Sequence, residues 1–320
     1  MKYALRRTLD WYSDMSLWPQ SNAWAIGSAF LTGALLEIST HPKPGLVTPR
    51  SNGSHRDMNL QTFMVSSAAI APCLYQCAEL GLGHSGPNWT VLASVREIGA
   101  RYEARLLKAT GGVNTQRGLL FSAGVLSAAA GLVMRHQPNC SEAALFDTAA
   151  DMVRGICDRE LRSLGNRTPQ TAGEKLYKEY GVLGIRGEAE AGFPTVRSAG
   201  LPALRTARDS GAPLGAVLLD TLIAIMAEAE DTTLLWRGGP EALTFVQAEA
   251  RRIRALGGAL TEAGMAAIQT LDADCIARHL SPGGSADLLA VTVGVDALLG
   301  GILPPATPEP GASPAPAPNL

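Results

Sequence analysis

An all-α fold is the expectation for this chain, as a single compact multi-helix domain with glycine-rich interhelical loops, and three observations predict it. Alanine and leucine dominate, while runs of β-branched residues are nearly absent. No segment alternates apolar with polar residues for six or more positions, the mark of a half-buried strand. Apolar residues instead recur at spacings of three and four, as in Val217, Leu218, Thr221, Leu222 and Ile225, which reads as the buried stripe of a helix.

The spacing predicts helices in this order. Ala23 to Ile38 is apolar until Glu37 interrupts it, and Asn59 to Leu80 carries Cys73 and Cys77 on one face. Ser94 to Lys108 and the apolar stretch Gly118 to Met134 follow, then Ser141 to Leu164. Thr171 to Tyr180 opens on a capping box, Thr171 with Glu174. Thr195 to Arg208 and Leu214 to Glu228 come next, and Pro240 marks the first turn of a helix to Leu256. Thr261 to Ile268, Asp272 to His279 and Ser285 to Leu299 complete the set. No repeat of solenoid length appears. Residues 1–303 read as one helical domain. From Pro304 to Leu320, seven of seventeen residues are proline, so that tail is expected to be disordered.

Composition narrows the function. The 320 residues are 46% hydrophobic and 18% charged, enough to bury a sizeable core. Lys plus Arg number 27 against 29 Asp plus Glu, a net charge of -2 with no block of like sign, which argues against nucleic-acid binding. No apolar run reaches the roughly 20 residues of a membrane span and no signal-peptide pattern opens the chain, so no membrane association is expected. Five irregularly spaced cysteines make no disulfide framework and suit a cytoplasmic protein.

Glycine is the informative residue, with 34 in the chain, many as pairs at helix boundaries. Gly111-Gly112, Gly238-Gly239 and Gly283-Gly284 adjoin polar or charged side chains in A-T-G-G-V-N-T-Q-R-G, D-T-T-L-L-W-R-G-G and S-P-G-G-S-A-D. A glycine loop feeding a helix start exposes backbone N–H groups at the positive end of the dipole, as an anion site needs; an ordinary helix C-cap is the bland alternative. G-L-G-H-S-G at 81–86 matches the dinucleotide pattern G-x-G-x-x-G, but a helix precedes it and Pro87 follows, so it reads as a solvated loop. There is no P-loop, no H-E-x-x-H and no paired C-x-x-C.

Three further segments carry chemistry. Two prolines flank Lys43 in H-P-K-P-G-L-V, holding the lysine on a rigid loop suited to a phosphate. His55 and Asp57 in S-N-G-S-H-R-D-M can be a ligand pair, a base with its orienting group, or turn polarity and a cap. In Y-G-V-L-G-I-R-G-E-A-E-A-G-F-P, Arg186, Glu188 and Glu190 stand among glycines that disfavour a helix. If that stretch is extended, Glu188 and Glu190 point to one side as paired carboxylates, able to hold Mg²⁺ or supply a base.

Together and in this order, P-K-P-G-L-V (42–47), H-R-D-M (55–58), A-T-G-G-V-N-T (109–115), T-A-G-E (171–174), G-I-R-G-E-A-E-A-G-F-P (184–194), R-G-G (237–239) and S-P-G-G-S-A-D-L-L-A (281–290) resemble the triphosphoribosyl-dephospho-CoA synthases. The resemblance spans residues 37–299. It implies an all-helical pentosyltransferase that moves the triphosphoribosyl group of ATP to the 2′-hydroxyl of 3′-dephospho-CoA and releases adenine. The product is the prosthetic-group precursor of citrate lyase or malonate decarboxylase, passed to a holo-carrier-protein transferase. Mg²⁺ is implied as cofactor with ATP as substrate, and a homo-oligomer is compatible with the apolar helix faces.

On that reading Lys43, Arg117, Arg186 and Arg237, with Gly111, Gly112, Asn114, Thr115, Ser281, Gly283, Gly284 and Ser285, bind phosphates. Glu188 is expected as base supported by Glu190, with His55 also catalytic, and Asp57, Asp231 and Asp287 as the metal set. The chain departs from the family where Gln116 and Arg117 replace His-Lys and where Thr233 replaces Asn. Two other classes are weighed against the transferase: a Mg²⁺-dependent nucleotide hydrolase, and a non-enzymatic helical binding module.

Overall fold

A computed structural model describes residues 21–136 and 139–303, and every structural statement below concerns these. The proline-rich tail expected over 304–320 lies outside them. The described residues form helices α1 (Ser21–Ser39), α2 (Leu60–Gly83), α3 (Leu92–Ala109), α4 (Arg117–Met134), α5 (Glu142–Val153), α6 (Ile156–Glu160), α7 (Ala172–Tyr180), α8 (Gly184–Glu190), α9 (Leu201–Asp209), α10 (Leu214–Glu228), α11 (Thr232–Ala255), α12 (Glu262–Ala277) and α13 (Gly283–Leu298). No strand occurs among them, so the fold is all-α in one domain.

Helix α4 is the axis of the bundle. Every residue from Ser122 to Val133 is buried, because α1, α2, α3, α5 and α13 surround it. Its apolarity and that of α2 are those of a membrane span, but burial within the bundle accounts for it in α4. Two glycines let α2 and α4 cross closely. A Cβ at Gly81 would stand 2.1 Å from the Ala128 carbonyl oxygen, and one at Gly131 would stand 2.4 Å from that of Ala78. The small side chains are thus a packing requirement at the crossing. Opposite α1, α13 is held to α9 by Asp296, which is buried and paired with Arg205 and Arg208 at 3.4 and 2.6 Å.

Several boundaries differ from those expected. The stretch Ser141 to Leu164 breaks at Gly155, whose φ of 73° is left-handed, so that α5, α6 and a 3-10 turn replace one helix. Residues 262–277 form the single α12 in place of two helices, because Ile268, Leu271 and Cys275 continue one buried stripe. Pro240 does start a helical segment, but a further one, Thr232 to Gly238, precedes it across a kink at Gly239 with φ 67°. The stretch 184–190, whose glycines argued against a stable helix, is helical.

Replacing Gly131 by Ala is expected to cost about 2 kcal/mol in chemical denaturation, since backbone rather than a mobile side chain opposes the new methyl. Gly99→Ala, in α3 with nothing within 4 Å of its Cβ, is the control and gains up to about 1 kcal/mol. Equal effects of the two would contradict the close crossing.

Candidate active site

The starts of α11 and α13 meet at one carboxylate. Asp231 is the N-cap of α11, and its Oδ1 accepts the N–H groups of Thr233 at 2.9 Å and Leu234 at 3.2 Å. Its Oδ2 turns to the other helix and accepts the Ser285 N–H at 2.7 Å and hydroxyl at 2.8 Å. The Thr233 hydroxyl lies between Asp231 Oδ1 and the Ser281 carbonyl, and itself accepts Gly283 N–H at 2.7 Å and Gly284 N–H at 3.3 Å. Two positive helix ends therefore share one buried anion. The Gly283-Gly284 loop, expected to offer its donors to phosphate, has them engaged by the protein.

One turn along α13, Asp287 faces Glu37 and Asp231. Burial, then the charges of Glu37 and Asp231, push its carboxyl well above the usual range, against the pull of the Leu119 N–H at the start of α4. Gly118 makes that approach possible, because a Cβ there would lie 2.1 Å from Asp287 Oδ2. Glu37 is likewise raised by burial, and its opposing partner is Lys43. Lys43 is not the solvent-held phosphate ligand expected of its loop: it is 2% exposed, with its ammonium paired to Glu37. The pair keeps a cation in a low-dielectric centre otherwise made of acids and helix ends.

His55 and Arg237 form the outer edge. His55 Nε2 lies 2.8 Å from Ser281 Oγ, and Arg237 Nη2 lies 3.1 Å from His55 Nδ1. A guanidinium only donates, so Nδ1 accepts and Nε2 carries the proton toward Ser281. Burial lowers the His55 pKa, Arg237 lowers it further, and Asp57, at 3.7 Å, opposes both. Arg237 also donates to the His279 carbonyl at 3.0 Å.

The expected metal set does not assemble. Asp57 is exposed beside His55, both Asp231 oxygens are filled by N–H and O–H donors, and Asp287 faces other acids. Among the described residues no three His, Cys, Asp or Glu side chains converge as a metal site. These residues do not fit a resident Mg²⁺.

At the start of α4, Asn114 is exposed, Thr115 donates to Ser66 Oγ at 2.6 Å, and Arg117 pairs with Glu103 at 2.9 Å. Gln116 takes the hydroxyls of Ser66 and Ser67 on Oε1, while its buried Nε2 has no hydrogen-bond partner. Gly111 and Gly112, at φ 67° and 93°, close α3, and the Gly112 N–H goes to the Leu107 carbonyl. That pair is a C-cap.

Helix α8 separates the carboxylates expected to stand together. At about 100° per residue, Arg186 and Glu190 share a face and Glu188 takes the other. Arg186 Nε donates to Glu160 at 2.7 Å, and Arg96 joins the same carboxylate. Glu190 lies against Cys157, whose thiol is pushed up to about 12 by burial and by that neighbour. Glu188 accepts the Thr195 N–H at 2.8 Å and hydroxyl at 3.0 Å, and burial raises its pKa against those bonds. Glu230, unmarked by sequence, accepts the Leu183 and Gly184 N–H groups at 3.1 Å and so caps α8 beside Asp231. Sequence reasoning also passed over Glu37, although it is the charge that ends an apolar run.

The site is thus built from segments distant in sequence: 37–43, 54–57, 114–119, 231–237 and 281–287. Residues 23–303 match the family model described as ATP:dephospho-CoA triphosphoribosyl transferase. The chain is 45% identical, over 88% of its length and 90% of the relative's, to a probable 2-(5″-triphosphoribosyl)-3′-dephosphocoenzyme-A synthase of Malonomonas rubra. It is 41% identical to the synthase of that name from Klebsiella pneumoniae, over 89% of this chain and 94% of that one. A probable synthase of Vibrio cholerae is 38% identical over 83% and 86%. No solved structure matches.

A carboxyl whose pKa is higher folded than unfolded binds its proton more tightly when folded, so stability falls as pH rises from the unfolded value through the folded one. Asp287→Asn removes that loss. Its Tm is expected to match wild type below about pH 4, the ordinary carboxylate range, and to exceed it increasingly toward neutrality. A difference in Tm that does not vary with pH would contradict the assignment.

Proposed function

The chain belongs to the ATP:dephospho-CoA triphosphoribosyl transferase family, as a triphosphoribosyl-dephospho-CoA synthase, and on that premise we propose that its chemistry takes place at the acidic centre around Asp231 and Asp287. The observation that carries this reading is the gathering of Glu37, Lys43, His55, Arg237, Ser281 and Asp287, which come from separate motifs, around the common start of two helices.

The reaction breaks the N-glycosidic bond of ATP at ribose C1′ and forms a C1′–O bond to the 2′-hydroxyl of 3′-dephospho-CoA. Adenine leaves with the bonding pair and takes up a proton, while the hydroxyl surrenders one. Positive charge develops at C1′ in the transition state, and an acidic centre of Glu37, Asp231 and Asp287 lowers its energy. The triphosphate, which stays attached, needs the opposite field. Arg237 and Arg117, both exposed, together with Asn114 at the α4 start, are the groups we assign to it. Mg²⁺ enters with ATP as part of the substrate, and no step is assigned to it. Lys43 is paired with Glu37 within the centre and does not reach for phosphate itself.

Asp287, not Glu188, is the base in this reading. Its raised proton affinity suits acceptance of the 2′-hydroxyl proton. Glu188 has both oxygens engaged by Thr195 and fixes the start of the segment leading into α9, while Glu190 and Arg186 hold α8 to α6. His55 positions Ser281 and Arg237. The product passes to a carrier-protein transferase in the cytoplasm, as the prosthetic-group precursor for a citrate lyase or malonate decarboxylase.

Purified protein with ATP, Mg²⁺ and 3′-dephospho-CoA is expected to release adenine only when the acceptor is present, one equivalent per triphosphoribosyl adduct by mass-detected chromatography. Adenine or phosphate without acceptor would favour a hydrolase. In single turnover, Asp287→Asn is expected to slow adenine release by about 10² or more, and Glu188→Gln to stay within about tenfold of wild type. The reverse order would return the base to Glu188.

A further inference from the structure

A cleft lies behind the loop that carries Lys43. It encloses about 690 Å³, a volume typical of small-molecule sites, between the end of α1, the start of α10 and the middle of α12. Leu36 and Pro42 line it, and the residues next to them in sequence, Glu37 and Lys43, form the buried ion pair of the active site. One thickness of chain therefore separates the cleft from the reactive centre.

The lining is of mixed character. Leu36, Pro42 and Leu218 provide apolar wall, and Gln269 and Asp272 provide polar groups on the α12 side. Asp272 is fixed by the Gly45 N–H at 2.8 Å, and His41 by the Thr48 hydroxyl at 3.1 Å, so the loop side is held in place. Arg50 lines both this cleft and a more open depression over Thr48 and Asn52. A triphosphate does not suit such a lining, because Asp272 would oppose it and Arg50 is a single cation. An uncharged chain with amide groups does, since its N–H groups meet acceptors and its methyl groups meet leucine and proline.

We propose that this cleft holds the pantetheine arm of 3′-dephospho-CoA. The proposal rests on the transferase reading above and extends it, by giving the acceptor a subsite that ATP, which has no such arm, does not use.

Gly215 allows a clean test. It lines the cleft in the first turn of α10, is exposed, and has nothing within 4 Å of an added Cβ, so Gly215→Trp fills the space without disturbing the core. Steady-state kinetics are to be compared for wild type, Gly215→Trp and the control Gly215→Ala, with ADP, which is the acceptor without its arm, as inhibitor competing with dephospho-CoA. Gly215→Trp is expected to raise KM for dephospho-CoA at least tenfold, leaving KM for ATP and the Ki of ADP within twofold of wild type. Gly215→Ala should behave as wild type. An unchanged KM for dephospho-CoA, or equal losses for ATP and dephospho-CoA, would overturn the subsite. Failure of the transferase reading itself would show separately, as absence of the adduct with wild-type protein.

Discussion

The carboxylate of Asp231, shared between the first turns of α11 and α13, is the interaction on which the site depends. Helix starts leave N–H groups without partners, and bringing two such starts together inside a protein concentrates positive potential that an anion must answer. Here the anion is built in. Because Oδ1 serves one helix and Oδ2 the other, the relative position of Thr233, Ser281, Ser285 and Asp287 follows from one side chain. His55 and Arg237 attach to that frame through Ser281 and the His279 carbonyl.

Around that point the charges form an economy of their own. Glu37 and Asp231 are close enough to raise the proton affinity of Asp287. Lys43 and the starts of α4, α11 and α13 supply the compensating field. The arrangement suits a reaction with positive charge at a ribose carbon and phosphates some distance away, because cations placed at the carbon would oppose it. Arg117 and Arg237 stand at the edge instead, exposed.

Much of the fold was legible because burial in a helical bundle writes itself as a stripe in α10 and as a long, largely apolar run in α4. Helix α8 was not, since four glycines from 181 to 192 argue against a helix by propensity. Its N–H groups are capped by Glu230 and its faces tied to Glu160 and Thr195, contacts that sequence spacing does not show. The same gap explains the site. Motif residues pointed to the right segments, but their geometry turned Lys43 inward toward Glu37, engaged the donors of the Gly283 loop within the protein, and split Glu188 from Glu190. Residue type and order were readable; the partner each side chain meets, from six residues away for Lys43 and Glu37 to 226 for His55 and Ser281, was not.

Hydrogen exchange by mass spectrometry on Asp231→Ala, under native conditions, tests the shared cap most directly. The account predicts that amides at 233–235 and 283–285 lose protection together, while the start of α2, capped independently by Asn59, keeps it. Loss at the α11 start alone, or equal loosening at α2, would contradict it.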